Sequence, residues 1–337
     1  MYPLKFNPIL KTIVWGGGKI ARFKGVDTSQ EHIAESWELS GYPGNESVVA
    51  NGALAGKTIE DLVKEYKGML VGEHVYARSG DQFPLLFKFI DALSDLSIQV
   101  HPDDELAQKR HGTNGKTEMW YVVDAEPGAH LYSGLKVQIT PEEYERRVAD
   151  GTIIDVLARH DVRPGDVFFL PAGRIHTICS GCFIVEIQQT SDLTYRIYDY
   201  GRLGLDGKPR ELHTELAKEA IDYKVYPDYR TAYTPLKDAE TPLVSCKYFT
   251  TSLYDLDKTV RKDLRDIDSF FVVMCLSGGG TLLDAEPVFD SEGRRGPTKG
   301  HLIPLKQGET VLIPASSQNI TFTPSKEGMK VITSYIR

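Results

Sequence analysis

The chain has 337 residues, 41% hydrophobic and 26% charged, with a formal net charge of −8. That is enough for two hydrophobic cores, since single cores stop growing at about 250–300 residues, and the composition is that of a soluble globular protein. The acidic balance without a basic block gives no footprint for nucleic acid; no run approaches about 18 apolar residues and no apolar leader follows the start, so no membrane span or signal peptide is expected and the chain is read as cytoplasmic.

Most of the chain reads as short strands punctuated by Gly and Pro, with few helical patterns. Trp15-Gly-Gly-Gly-Lys19 lacks the spacing of a phosphate loop and precedes no convincing helix, so it is not read as a nucleotide site. Thr58-Ile-Glu-Asp61 opens a helix carrying Ile59, Leu62, Val63, Tyr66 and Leu70 at helical spacing. In Gln99-Val100-His101, residues 99 and 101 point to one face of a strand. Glu118 follows in the strand-like run Lys116 to Val123. Thr140-Pro-Glu-Glu143 opens a second helix with a full capping box.

Gly165-Asp-Val-Phe-Phe-Leu-Pro171-Ala-Gly173-Arg-Ile-His176 is the most informative stretch. Val167 to Leu170 reads as a buried strand. Pro171 and Gly173 force a tight turn that hands His176 to the next strand, Ile178 to Ile187, interrupted at Ser180-Gly181. Gln99, His101, Glu118 and His176 supply two nitrogens and two oxygens, a credible set for zinc or a similar divalent ion. Four cysteines are too few for a disulfide framework, and Cys179-Ser-Gly-Cys182 reads as two small residues flanking a turn rather than a redox pair.

His213 to Ala220 is a weaker helix candidate, and the Pro- and Tyr-rich stretch Pro227 to Leu236 is a candidate boundary. Beyond it, Phe270 to Leu283 reads as strand, glycine turn and strand. Gly308-Glu-Thr-Val-Leu-Ile-Pro314-Ala-Ser-Ser-Gln-Asn319 then matches the earlier motif position by position, with Asn319 where His176 stood. The chain therefore reads as two copies of one β unit, the second without its metal-binding histidine. The histidines outside the motif, His213 among them, are read as ordinary surface or core residues.

Gly-x5-Pro-x-Gly-x2-His is the second metal motif of the cupin superfamily. Leu96-Ser-Ile-Gln-Val-His-Pro-Asp-Asp104, Gly115-Lys-Thr-Glu-Met-Trp120, Tyr195-Arg-Ile-Tyr-Asp-Tyr-Gly201, Val14-Trp-Gly-Gly and Glu35-Ser-Trp-Glu-Leu-Ser40 resemble the signatures of the type I phosphomannose isomerase family, in its short bacterial form. The resemblance implies a mainly β protein of two jelly-roll (cupin) β-barrel units with a few helical insertions. Residues 1–232 would be the catalytic metal-binding domain and 233–337 a degenerate cupin domain without metal.

It implies interconversion of mannose 6-phosphate and fructose 6-phosphate through an enediol, with one Zn2+ per chain. The family's zinc ligands fall on Gln99, His101, Glu118 and His176, and its active-site arginine on Arg196. Lys88, Ser97 and Lys116 match positions lining its sugar-phosphate pocket. Arg196 and Lys116 are the expected catalytic residues, with the base left open among Lys116, Asp199 and Glu38, and Lys88 and Ser97 the expected substrate contacts. The expected partner is a small sugar phosphate, and monomer and homodimer are both compatible with the sequence. Two other readings compete: a metal-dependent cupin oxygenase, for which Gln99 is an unusual ligand, and a non-catalytic sugar-binding bicupin.

Overall fold

A computed structural model describes residues 1–286 and 299–337. The chain divides into two compact units. One comprises Met1–Pro8, Glu38–Pro84 and Ala232–Arg337; the other comprises Ile9–Trp37 and Leu85–Thr231. The cut at Thr231 falls inside the stretch expected to hold a boundary. The units are nevertheless not the sequential 1–232 and 233–337 pieces. The strand Leu4–Asn7 pairs with Thr310–Ile313, which draws the N-terminal residues into the C-terminal unit.

The unit made of Ile9–Trp37 and Leu85–Thr231 carries all the expected metal and pocket residues. Among the described residues, one of its sheets has five strands in the order Leu157–Asp161, His130–Leu135, His176–Ile178, Ile98–Val100, Tyr195–Tyr198. The other runs Val167–Leu170, Glu118–Ala125, Cys182–Gln189, Leu85–Asp91, Ile33–Tyr42, Ile9–Gly17. Successive strands from Ile98 onward alternate largely between the two sheets, the jelly-roll pattern. Leu131 and Ile178 of the first sheet meet Trp120, Phe168, Leu170 and Ile184 of the second in one core. Each such buried side chain contributes roughly 1.5–3 kcal/mol. The expected barrel is thus a sandwich of two open sheets, because no ladder closes the five-stranded sheet onto the other among the described residues. The outer face of the five-stranded sheet buries Ile98, Val100 and Ile197 beside Tyr144 of the helix Pro141–Ala149 and Ala217 of the helix Thr214–Ala220.

Local expectations hold in part. The helix Ile59–Tyr66 has its full capping box at Thr58 and Asp61, but it stops before Leu70 because Lys67 takes a φ of 48°. Thr140 accepts the Glu143 N–H at 3.2 Å, whereas the Glu143 carboxylate turns to Arg147 at 2.8 Å instead of completing a capping box. A helix does follow the first glycine run, Lys19–Lys24, and the Asp91 carboxylate already takes the Lys19 N–H at 2.6 Å. Cys179 and Cys182 are free and buried on either side of a turn at Gly181, and burial pushes both thiols up, Cys182 to about 12.

In the other unit, Phe271–Glu286 is one strand, not two joined by a turn. It pairs along Asn319–Tyr335 with register shifts at Cys275/Ser277 and Gly278/Gly280. A Cβ on Gly280 would lie 2.1 Å from the Thr323 carbonyl oxygen, so the glycine allows close strand approach at a bulge.

Candidate active site and metal centre

Three neighbouring strands set a row of side chains across the five-stranded sheet. His176 is in register with Gln99, and Gln99 with Arg196. Directly opposed residues share a face, so all three look the same way. His101 follows the Ile98–Val100 strand, and Glu118 opens its strand in the opposing sheet. His101, Glu118 and His176 converge, with one potential ligand atom from each within 4.8 Å of the others.

The imidazoles are set as ligands. His101 Nδ1 lies 2.8 Å from the Leu193 carbonyl oxygen, and His176 Nδ1 lies 2.7 Å from that of Arg174. A carbonyl only accepts, so each Nδ1 carries the proton and donates it, leaving the Nε2 lone pair free. His176 Nε2 lies 3.3 Å from Glu118 Oε1 and 3.3 Å from Gln99 Nε2, the end of the amide that a flip exchanges for its oxygen. His101 Nε2 lies 3.6 Å from Glu118 Oε2. Among the described residues, His101 Nε2 and Glu118 Oε1 are buried with no hydrogen-bond partner. Orphaned buried acceptors cost stability unless something fills them, and a cation bound by two imidazole nitrogens, a carboxylate and the Gln99 amide oxygen would. Burial keeps His101 well below its ordinary pKa, with Lys116 adding to the effect, and lowers His176 to about 4. Both are neutral donors at physiological pH. Burial pushes the Glu118 carboxyl up, Glu186 adds to the rise and Lys116 opposes it.

Next to these residues lies a cavity of about 300 Å³. Gln99, Lys116, Lys88, Ser97 and Arg196 all line it, as expected from sequence. Lys116 precedes its strand rather than belonging to it, yet its Nζ reaches Glu118 Oε2 at 2.9 Å. Burial lowers its pKa, but Glu118 and Glu186 outweigh that and leave it raised, so it is a firm cation. Lys88, 2% exposed, sits 3.3 Å from both Glu35 Oε2 and Glu186 Oε1 and 5.0 Å from the Trp37 ring centroid. Its charge is thus already matched by two carboxylates.

Sequence reading missed several wall residues. Glu186 interrupts the apolar run Phe183–Ile187, the one signal that could have exposed it. Its Oε2 accepts from Trp120 Nε1 at 2.9 Å; burial works against its charge, but Lys116 and Lys88 hold it below the ordinary range. Glu35 accepts from Trp37 Nε1 at 2.6 Å. Asp192, Arg210 and His213 also line the cavity, so His213 is not an ordinary surface residue. Its Nδ1 accepts the Arg196 backbone N–H at 3.1 Å. The two other base candidates from sequence do not line the cavity. Asp199 is gripped by Arg202 at 2.8 Å and Arg210 at 2.5 Å, and buried Glu38 lies in the other compact unit.

Residues 4–127 match the family of the type I phosphomannose isomerase catalytic domain. The chain is 34% identical to mannose-6-phosphate isomerase ManA of Bacillus subtilis over 93% of both sequences. It is 33% identical to a mannose-6-phosphate isomerase of Streptococcus mutans, over 83% of this chain and 86% of that one. The crystal structure of the mannose 6-phosphate isomerase from Bacillus subtilis superposes with a TM-score of 0.86 at 30% identity, covering 100% of both chains. Likeness of sequence and fold along nearly the whole chain, together with the His101–Glu118–His176 cluster, makes this chain a member of the type I phosphomannose isomerase family.

Proposed function

We propose that the protein is a metal-dependent aldose–ketose isomerase that interconverts mannose 6-phosphate and fructose 6-phosphate. The observation that carries this is the metal-ready cluster of His101, Glu118 and His176, joined through its neighbours Gln99 and Lys116 to a cavity also walled by Arg196 and Arg210. Family membership weighs against both the oxygenase and the non-catalytic sugar-binding alternatives.

His101, Glu118, His176 and Gln99 would hold one zinc ion. Bound there, the metal supplies Lewis-acid stabilisation of charge developing on sugar oxygen. With two neutral imidazoles, a neutral amide and one carboxylate, the loaded centre keeps a formal charge of about +1, suited to an anionic, oxygen-rich substrate. Moving a proton between C1 and C2 builds negative charge on an enediol oxygen. Lys116, held protonated by Glu118 and Glu186, donates to that oxygen; a firm ammonium is a poor base for carbon. The proton itself needs a base, and Glu35, Glu186, Asp192 and His213 are on the wall. Arg196, which cannot lose its charge near neutral pH, presents a planar fork to the substrate's oxyanion. Lys88, bracketed by two carboxylates, leaves the phosphate to Arg210, with Ser97 contributing a hydroxyl.

The other unit is proposed to lack a metal. Asn319 is buried and its Oδ1 accepts from Arg261 Nε at 3.2 Å, so this amide oxygen already has a cationic donor. Among the described residues no helix is long and apolar enough to cross a membrane.

A coupled assay for fructose 6-phosphate formed from mannose 6-phosphate tests the assignment. Turnover by the zinc-loaded protein, lost with a chelator, is expected. Zinc-loaded protein inert on mannose 6-phosphate would overturn it.

A further inference from the structure

The segment Asp222 to Arg230 runs into the Pro- and Tyr-rich stretch Pro227 to Leu236 that reads in sequence as a candidate boundary. In the structure two of its tyrosines grip the turn that carries His176. The Arg174 guanidinium, 9% exposed, lies 4.5 Å from the Tyr229 ring centroid and 4.8 Å from that of Tyr226. The two rings meet edge to face, 5.9 Å apart at 69°, so the guanidinium sits in the corner they form and is attracted by both π systems, and its planar shape suits this geometry better than an ammonium would.

The rings are themselves fixed. Tyr229 OH donates to the Leu135 carbonyl oxygen at 2.7 Å, and its ring packs so closely on Gly134 that a Cβ there would lie 2.1 Å from it. Tyr226 OH donates to Asp222 Oδ2 at 2.8 Å, and the Asp222 N–H donates to the Gly173 carbonyl oxygen at 2.8 Å. The same turn touches both histidines of the cluster. The Gly173 N–H donates to the His101 carbonyl oxygen at 2.8 Å, and the Arg174 carbonyl oxygen takes the His176 Nδ1–H at 2.7 Å.

We propose that Arg174, held in the corner formed by Tyr226 and Tyr229, is a positioning residue for the metal centre. By pinning its own carbonyl oxygen it fixes the tautomer and ring orientation of His176. The clamp rests on the metal-site reading above for its consequence, but not for its geometry. Partners behind a ligating histidine typically alter metal affinity by about 10–100-fold. Arg174→Met removes the cation while keeping an unbranched chain. Arg174→Lys keeps charge over the rings without the planar fork.

The experiment compares full-length wild type, both variants and Arg230→Met. Arg230 belongs to the same segment but lies over Phe168, 5.6 Å from its centroid, away from the His176 turn. One readout is zinc affinity by competition with a chromophoric chelator. The other is the His176 ring nitrogen resonances of the metal-free protein. Arg174→Met should bind zinc about tenfold or more weakly, and its metal-free His176 should show mixed tautomers where wild type holds the proton on Nδ1. Arg174→Lys should fall between, and Arg230→Met should match wild type. Wild-type zinc affinity and an unchanged Nδ1–H tautomer in Arg174→Met would overturn the clamp. A parallel loss in Arg230→Met would also overturn it, by showing a general loosening. If wild type itself bound no zinc, the metal reading would fall while the tautomer measurement still decided the clamp.

Discussion

Glu118 Oε1 lies 3.3 Å from His176 Nε2, and the two residues belong to opposite sheets of the sandwich. A shared cation therefore ties the sheets together at the edge of their core. A ligand bound only by the folded state adds stability by mass action, about 4 kcal/mol at a thousandfold excess over its dissociation constant. Removing the metal with a chelator should lower the melting temperature by several degrees and abolish turnover, and added zinc should restore both. His176→Ala should melt at one temperature with or without zinc. Scanning calorimetry with and without chelator checks this, and a zinc-dependent melting temperature in His176→Ala would remove the ligand assignment.

The pH dependence of the metal-free protein follows from the same imidazoles. An unfolded histidine takes its proton near pH 6.5, whereas folded His176 resists until about pH 4 because it is buried. Between those values the unfolded chain binds more protons, so stability falls as pH drops. His101, also lowered, acts in the same direction. The raised Glu118 carboxyl works the other way over the same range, so the difference between proteins is the test: as pH falls from 6.5 toward 4, the urea midpoint of metal-free wild type should drop relative to that of His176→Gln. Equal slopes in the two proteins would show that His176 is not held neutral.

Lys88 separates a structural from a ground-state binding role. As a phosphate anchor it would mainly affect KM. Held 3.3 Å from both, it instead balances the buried Glu186 and the partly buried Glu35 carboxylates. Breaking a buried pair from one side costs about 3–5 kcal/mol. Lys88→Met should therefore lose stability on that scale, measured by denaturant unfolding. A variant of wild-type stability whose only defect is a raised KM would return Lys88 to the phosphate.

Much of this site was legible because its ligands sit in short motifs whose strand periodicity fixes their facing. Gln-x-His and Gly-x5-Pro-x-Gly-x2-His each predict a side chain's direction from local geometry alone. Glu186, Glu35, Asp192, Arg210 and His213 were not legible as a set, since only the pairing of distant strands brings them to one cavity. The helix break at Lys67 was missed because local periodicity continues through it and tertiary packing overrides it. At Gly278 to Gly280 the reverse holds: a glycine run that reads locally as a turn is a bulge within one long strand, kept extended by pairing with a distant strand. The noncontiguous unit has a similar origin, because the pairing of Leu4–Asn7 with Thr310–Ile313 leaves no trace within either strand.

Arg196 is the residue whose kinetics discriminate best. It shares a row with Gln99 and His176, its Nη1 donates to the Glu211 carbonyl oxygen at 2.9 Å, and among the described residues its buried Nε has no partner. Burial lowers its pKa, with Arg210 adding to the effect, yet a guanidinium stays charged at neutral pH. A preorganised cation with an unspent donor is most useful where charge grows during the reaction, and such a donor typically contributes about 10²-fold or more in turnover. Arg196→Lys keeps the charge and loses the fork. It should lower kcat by about 10²-fold with a smaller change in KM, because an interaction that strengthens in the transition state appears in kcat. Zinc content should be unchanged, since Arg196 is not a ligand. If Arg196→Lys raised KM alone, Arg196 would be the phosphate anchor, and stabilising the enediol oxygen would fall to Lys116 and the metal.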